Sequence, residues 1–518
     1  MLALKIKAVA GLALVAATLP APASAASEPG WGGDGLRWTT TVVAPGVEVR
    51  SGVLERPTAP YWTVTVAAPA TNVLTGAATV ADLGTAEWAA STAERLAAAG
   101  YPARQEVVRW PSYADTPGGV EGVRVRTGRY GTQAEAAAVV SALRAAGFPT
   151  ATAAWTGYDV DQAPDAERVH VAVIDPRAFR GTVEASHGET IAAREKTSAL
   201  ASKLGALVAV NGGFFITSDN DGYQGAPAGL AAYDGRLESL SAGSRAALVL
   251  GPGPAHIANL TSTVTVRAGS AAHAVEGINR KPGVLRNCGR PNAVPTTAPR
   301  QDFTCTSSDE LVLFTDAFGA ALPTGPGTQV VLDANGAVVS AGPRGGVLQP
   351  GQTAVQGIGA AASWLAAHAG SRLVVDSRVR EASGSPTVTP RSVVSAAPLL
   401  LRDGRLAVDA ATEGVVDPRD LSFGYAWSQQ RQPRTMAGID ARGRLLLVTV
   451  DGRQPGVSEG LTLVEGARLM RALGAVEAMN LDGGGSSAMV VSGAVVNKPS
   501  DATGERAVGD VVAVLPRR

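Results

Sequence analysis

The sequence predicts two folded parts. One is a large α/β domain, an α+β mixed sheet with strand-rich insertions. The other is a small ferredoxin-like β-α-β-β-α-β domain. Three observations carry this expectation. A pair of similar strand-helix units fills the first third of the chain. The middle is a series of strands punctuated by glycine and proline. Near the C-terminus, a strand-helix-strand unit runs into the glycine-rich stretch NLDGGGSSAMVV, residues 480–491. The 518 residues suffice for two or three domains with real cores.

The small domain comes first. LAAAGYP (96–102) and LRAAGFP (143–149) align, and each closes a helical stretch, 85–100 and 132–147. Both helices open at a threonine, a good N-cap, and stop at a glycine. Strand-like runs precede them at 61–68 and 122–128, and others follow at 103–108 and 150–155. The resulting order is that of a split βαβ module.

The remainder, 165–518, opens with the strand RVHVAVIDP (168–176). A helix is expected over 189–205, then the strand ALVAVNGGFF (206–215), whose end carries Asn211 and Gly212. Glycine-flanked strands follow, including QVVLDANGAVVS with its turn at Asn335-Gly336. The final unit is the strand RLLLVTVDGR (444–453), a helix over 458–474 capped by Ser458 and stopped by Gly474, and the strand VEAMNLDGGGSS (476–487). Such a unit is expected to give two parallel neighbours through a right-handed crossover. Asp451 and Asp482, each at a strand end before glycine, then share one edge of the sheet. Ligands bind at the carboxyl edge of α/β sheets.

NLDGGGSS lacks the Lys-Ser/Thr of a nucleotide-binding loop and the Gly-x-Ser-x-Gly of a nucleophile elbow. The five histidines lie far from it in sequence, no His/Cys cluster suggests zinc, and no Asp-x-Asp-x-Asp-Gly loop suggests a calcium hand. What fits is carboxylate chemistry beside backbone amides. Paired carboxylates flanking a scissile bond are the arrangement of glycosidic cleavage, and exposed glycine amides can hold an anionic oxygen. Arg280 in GINR, Arg434 in RQPRTMAGID, Arg453 in DGR and Arg506 in GER add cations suited to phosphate.

The N-terminus reads as a secretory signal peptide over 1–25. Lys5 and Lys7 precede an apolar run, and Ala23-Ser24-Ala25 forms a small-residue cleavage site. That run is too short to span a bilayer, and no later segment has the unbroken apolar length of a transmembrane helix. In an exported chain, Cys288 and Cys305 are expected to form a disulfide. Zero formal net charge gives no sign of a nucleic-acid partner.

Two resemblances follow from these motifs. The stretch around VRTGRYGTQAEAAAVVSALRAAGF, roughly 60–156, resembles the SPOR domain, which implies binding to peptidoglycan glycan strands. VNGGFF, GINR, PRTMAGID, VTVDGRQPGVSEG, LGAVEAMNLDGGGSSAMVV and GERAV, in that order, resemble the phosphodiester glycosidase family over 165–518. Residues 38–60 are expected to be an N-terminal piece of that domain, with the SPOR-like module inserted. The resemblance implies hydrolysis of a sugar-1-phosphodiester in cell-envelope glycans or glycopolymers by a bacterial protein that is secreted or cell-wall associated. It places Asp482 and Asp451 as catalytic carboxylates. It places Asn211, Gly212, Arg280, Arg434, Thr435, Arg453 and Gly483 at the substrate, and Gly484, the next glycine of the turn, is expected beside them. No cofactor is implied, although strand-end aspartates leave room for a divalent cation. Two alternatives stand beside this: a hydrolase of uncharged envelope glycans, and a non-catalytic envelope-binding protein.

Overall fold

The computed structural model describes residues 35–56, 58–160, 164–251, 253–384, 387–388 and 391–517. The expected signal peptide lies outside the described residues. The central element is an eight-stranded antiparallel sheet. Its order is Arg37–Ala44, Val47–Glu55, Ala166–Ile174, Leu445–Val450, Arg434–Asp440, Ala475–Asn480, Leu399–Arg402 and Arg405–Leu406. Strand Val47–Glu55 pairs with Ala166–Ile174 along its whole length, from Val47↔Ile174 to Glu55↔Ala166. The chain between these two partners forms the small domain.

That domain has strands Trp62–Val66, Ala103–Arg109, Val120–Tyr130 and Ala151–Trp155 in one antiparallel sheet, with helices Ala86–Ala98 and Gln133–Ala145. Thr85 and Thr132 cap the helices, and Thr132 closes a capping box with Glu135. Val64, Val66, Val125 and Ala151 pack under Leu96 and Leu143 on one face of the sheet. The order is the expected β-α-β-β-α-β.

Three local expectations are corrected. The helix over 189–205 is confined to Thr197–Leu204, closed by Gly205 at φ +66°. The preceding residues are drawn into other pairings: Ile191 N–H donates to the Ala317 carbonyl (2.9 Å), and Glu195–Lys196 pairs with Ala507–Val508. The late helix is Leu463–Ala472, capped by Thr462 in a capping box with Glu465 rather than by Ser458. Ser458 instead donates to the Asp451 carbonyl (2.8 Å).

Strands Leu445–Val450 and Ala475–Asn480 are not neighbours. The tight turn at Arg442-Gly443 folds Arg434–Asp440 back onto Leu445–Val450, and the later strand takes the other edge of Arg434–Asp440. Both outer strands run antiparallel to the one between them, so they still point the same way. Their carboxyl ends share an edge, and the start of Arg434–Asp440 lies between them.

A second antiparallel sheet contains Thr182–Ser186, Val511–Leu515, Val208–Asn211, Met489–Val491 and Ala494–Val495. The glycine-rich stretch leaves the first sheet at Asn480 and enters the second at Met489. It therefore bridges the two sheets. Val208, Val210, Val512 and Val514 of the second sheet share one buried core with Ala437, Leu447 and Met479 of the first.

Candidate active site

Asn211 joins the two sheets at the bridge. Its side chain is fully buried, and each end of the amide is used. Nδ2 donates to the Asp482 carbonyl (2.6 Å), and Oδ1 accepts from Thr435 Oγ1 (2.6 Å) and the Ala488 N–H (3.1 Å). Asp482 N–H in turn donates to the Gly212 carbonyl (3.0 Å). A Cβ on Gly212 would collide with the Asp510 carboxylate, which accepts from the Gly213 N–H (2.9 Å). One amide thus clamps both ends of the loop 482–488. Asn211→Ala strands three buried partners, each worth about 1 kcal/mol or more. It is expected to lower stability by about 3 kcal/mol, read as a fall in the thermal midpoint. Asn211→Gln is not expected to rescue it, because the longer side chain cannot fit the clamp.

Three different neighbours explain the three glycines. A Cβ on Gly483 would lie 2.9 Å from the Pro433 carbonyl oxygen. Gly484 has φ +60°, and its missing side chain admits the Arg453 guanidinium, 3.2 Å from where a Cβ would be. A Cβ on Gly485 would strike the ion pair of Asp501 and Arg506, whose nitrogens stand 2.8 and 3.0 Å from the carboxylate oxygens. The glycines therefore let two arginines reach the Asp482 turn. Arg453 has φ +59°, a conformation that costs energy in a residue other than glycine. Gln432 accepts from its Nε (2.6 Å) and fixes the guanidinium.

Asp482 is partly exposed at this turn. Among the described residues, no donor with full hydrogen-bond geometry holds its carboxylate. Burial pushes its carboxyl up to about 7, and the Asp302 charge adds to the rise. The Ser486 hydroxyl, the Arg506 guanidinium and the Gly483 amide act the other way. The Ser486 hydroxyl is close enough to matter but does not complete a hydrogen bond. Asp302 comes from the hairpin Val284–Cys288 and Pro299–Thr306, which the Cys288–Cys305 disulfide closes, with Cα atoms 5.2 Å apart.

Asp451 shares the edge but is otherwise occupied. Its Oδ1 accepts from Asn497 Nδ2 (3.1 Å) and the Lys498 N–H (3.0 Å), and Oδ2 accepts from the same N–H (3.1 Å). Burial raises its carboxyl to about 6 against these bonds.

Arg434 is buried at the start of its strand, with no carboxylate partner among the described residues. Nε donates to the Leu461 carbonyl (2.8 Å) and Nη2 to the Trp427 carbonyl (2.6 Å), while Nη1 has no hydrogen-bond partner among the described residues. Burial, together with the charge of Arg453, brings its pKa down to about 9. Arg453 is likewise lowered by burial and by Arg506. Three guanidiniums thus crowd one edge, with Arg453 disfavouring the charge on Arg434 and Arg506 that on Arg453, which favours an anionic ligand.

Arg280 departs from the expectation. It follows the strand Gly277–Ile278 of a different sheet, and its Nη1 and Nη2 donate to Glu310 at 2.8 and 2.6 Å. A buried bidentate pair uses the donors that a substrate would need. Sequence reasoning passed over Gln432, Asp501 and Ser486. Each lies in a polar or glycine-rich run, and only the folded contacts single it out.

Two family models match. The phosphodiester glycosidase model covers residues 328–515, and the SPOR domain model covers 79–153. Residues of the chain are 32% identical over 103 positions to the N-acetylglucosamine-1-phosphodiester alpha-N-acetylglucosaminidase of Mus musculus, covering 20% of each chain. A SPbeta prophage-derived protein of Bacillus subtilis (strain 168) is 39% identical over 84 residues, 16% of this chain and 13% of the other. The matched stretches therefore span a fifth or less of these curated relatives. A crystal structure from Burkholderia pseudomallei K96243, described as an exported protein, superposes with a TM-score of 0.80 at 34% identity. It covers 94% of this chain and 98% of the other. The C-terminal match, the inserted module and the likeness over 94% of the chain agree: the chain belongs to the phosphodiester glycosidase family and carries an inserted SPOR domain.

Proposed function

We propose that this protein is a bacterial envelope hydrolase that cleaves the glycosidic bond of a sugar-1-phosphodiester. The observation that carries the reading is Asp482, a partly exposed carboxylate with no fully formed hydrogen bond among the described residues, at a turn reached by Arg453 and Arg506. The cations bind the phosphodiester, and Asp482 works at the sugar C1. In one turnover the C1–O bond to phosphate breaks, a water oxygen joins C1, and a phosphomonoester leaves.

This chemistry needs one carboxylate rather than two. A sugar alcohol is a poor leaving group and requires a general acid. A phosphomonoester, with a second pKa of about 6, leaves as an anion without that help. Asp451 then serves as a positioning residue that fastens Asn497 and Lys498 beside the turn, and Asn211, Gly212 and Thr435 hold the loop in place. Arg434 contributes positive charge from beneath, while the Nη groups of Arg453 face the ligand. Secretion through the N-terminal signal segment, and association with peptidoglycan through the SPOR domain, complete the reading.

The test is hydrolysis of a synthetic N-acetylglucosamine-1-phosphodiester beside a matched uncharged glycoside. Arg453→Ala is expected to lower kcat/KM on the phosphodiester about 100-fold, the scale of one lost charged contact in a transition state. Equal loss on the uncharged glycoside would exclude a phosphate-binding role. Turnover of the glycoside alone would move the substrate to uncharged glycans.

A further inference from the structure

The SPOR sheet has one face against its helices and one face turned to the catalytic domain. Thr65 and Thr152 point away from the helix-covered core and line a cleft of about 500 Å³, with Arg124 and Arg126 buried and paired to Glu106 and Asp159 at its base. The opposite wall comes from the catalytic domain and includes Gln430, Gln432, Arg453 and Pro455. Trp62 and Trp155, with ring centroids 5.4 Å apart, add aromatic surface to the same cleft. Hydroxyls, amides and indole faces together suit a sugar chain, whose faces are apolar and whose rim is hydroxyl.

Two features connect this cleft to the Asp482 turn. Arg453 belongs to both: it lines the cleft, and its guanidinium fills the space left by Gly484. The two domains are also fixed together. Arg431 Nη1 donates to the Gly157 and Asp159 carbonyls, just past the module, at 2.8 and 2.7 Å, and the Asp159 carboxylate pairs with Arg124 and Arg126 of the SPOR sheet. Gln429 Nε2 donates to Glu121 (2.7 Å), and Asp115 accepts from the Ala411 and Thr412 N–H groups (3.1 and 2.6 Å). Trp155 Nε1 donates to Glu459 (3.4 Å). A module that served only as a tether would have no need of this docking.

We infer that the SPOR sheet face and the Asp482 turn form one extended site, so that the glycan strand held in the cleft is the polymer carrying the phosphodiester that is cut. This inference rests on the proposed phosphodiester hydrolysis and names its substrate class: a phosphodiester borne on a glycan strand rather than a free sugar phosphodiester. The SPOR domain then sets substrate register as well as location.

The experiment uses the full mature chain and soluble peptide-free glycan strands, with affinity measured by calorimetry. Thr152→Trp blocks the SPOR wall, and Gln430→Trp blocks the catalytic wall. Each is expected to weaken strand binding at least tenfold. Each is also expected to lower turnover of a strand-borne phosphodiester about tenfold, while turnover of a small soluble phosphodiester stays within twofold. If Gln430→Trp fails to fold, Arg453→Ala provides the same binding readout from the catalytic wall. Binding weakened by Thr152→Trp but unchanged by the catalytic-wall variants would overturn the inference and leave a tether. The binding arm needs no turnover, so absence of hydrolysis on every phosphodiester would defeat the functional reading without touching the comparison of the two walls.

Discussion

Asp482→Asn is expected to abolish phosphodiester turnover, by 10³-fold or more, and to make the protein more stable at pH 8. The first effect follows from removing the group that works at C1. The second follows from the direction of the pKa shift. Burial raises the Asp482 carboxyl from 3.8 to about 7. The folded state therefore keeps a proton between pH 4 and 7 that the unfolded chain releases. Ionising Asp482 costs stability progressively as pH rises through that window, and the cost is complete above it. An amide removes the cost. After allowance for solvent screening at a partly exposed group, the gain is on the order of 1–2 kcal/mol. Such trade-offs between stability and function are common at active sites. Because the phosphate leaving group needs no acid, the wild-type kcat/KM is expected to rise with pH through about 7 as the carboxylate forms. A rate that falls through that region would make Asp482 an acid and would reverse its assigned role. Thermal melts at pH 5 and pH 8 check the stability half independently of any substrate.

Arg431→Met is expected to be the most destabilising single change in the interface. This guanidinium is 1% exposed and lies among three buried carboxylates. It makes bonds of 3.1 and 2.6 Å to Glu465 and stands 3.7 Å from Glu459. Its charge also lowers Glu167, a carboxyl that burial holds well above its ordinary range. Removing the cation leaves these acids without compensation, at about 3–5 kcal/mol. The same change cuts both bonds to the Gly157 and Asp159 carbonyls, so the SPOR domain should loosen as the core weakens. Differential scanning calorimetry is expected to show an early transition, with protease cleavage appearing first near residues 156–160. A single unshifted transition would mean that the carboxylates had taken up protons and that the cation was not needed. A partial check is pH: the penalty should shrink below pH 5, where burial already favours the neutral forms of Glu167 and Glu459, the latter raised to about 7.

The local signals in the sequence were strong where the chemistry was local. Thr85, Thr132 and the repeated glycine stops specify two helices, because capping is decided within four residues. Asn335-Gly336 specifies its hairpin, and Gly336 has φ +78°. The direction of the strands ending at Asp451 and Asp482 could be read, because a short helix between them leaves room for little else. Where the sequence misled, a distant partner decided the outcome. Residues 189–196 have helical composition but are claimed by Ala317 and by Ala507–Val508. Ser458 looks like a cap, yet its hydroxyl is spent on Asp451 and Thr462 caps the helix. Arg280 sits in a motif that suggests a ligand, but Glu310, thirty residues away, binds it.

The sequence by itself determined that a carboxylate would stand at a strand end before a glycine turn, near arginines, beside an inserted β-α-β-β-α-β module. These are properties of spacing and of local backbone preference. Only the tertiary structure decided that Asp451 is held by Asn497 and Lys498 while Asp482 is not, that Asn211 clamps the loop, and that three glycines make room for Pro433, Arg453 and the Asp501–Arg506 pair. It alone placed the SPOR sheet against the catalytic edge. The reason is that burial, pairing and close approach depend on which distant segments meet. A residue's own neighbours in sequence set its conformation, whereas the free energy of its charge is set by whatever the fold packs against it.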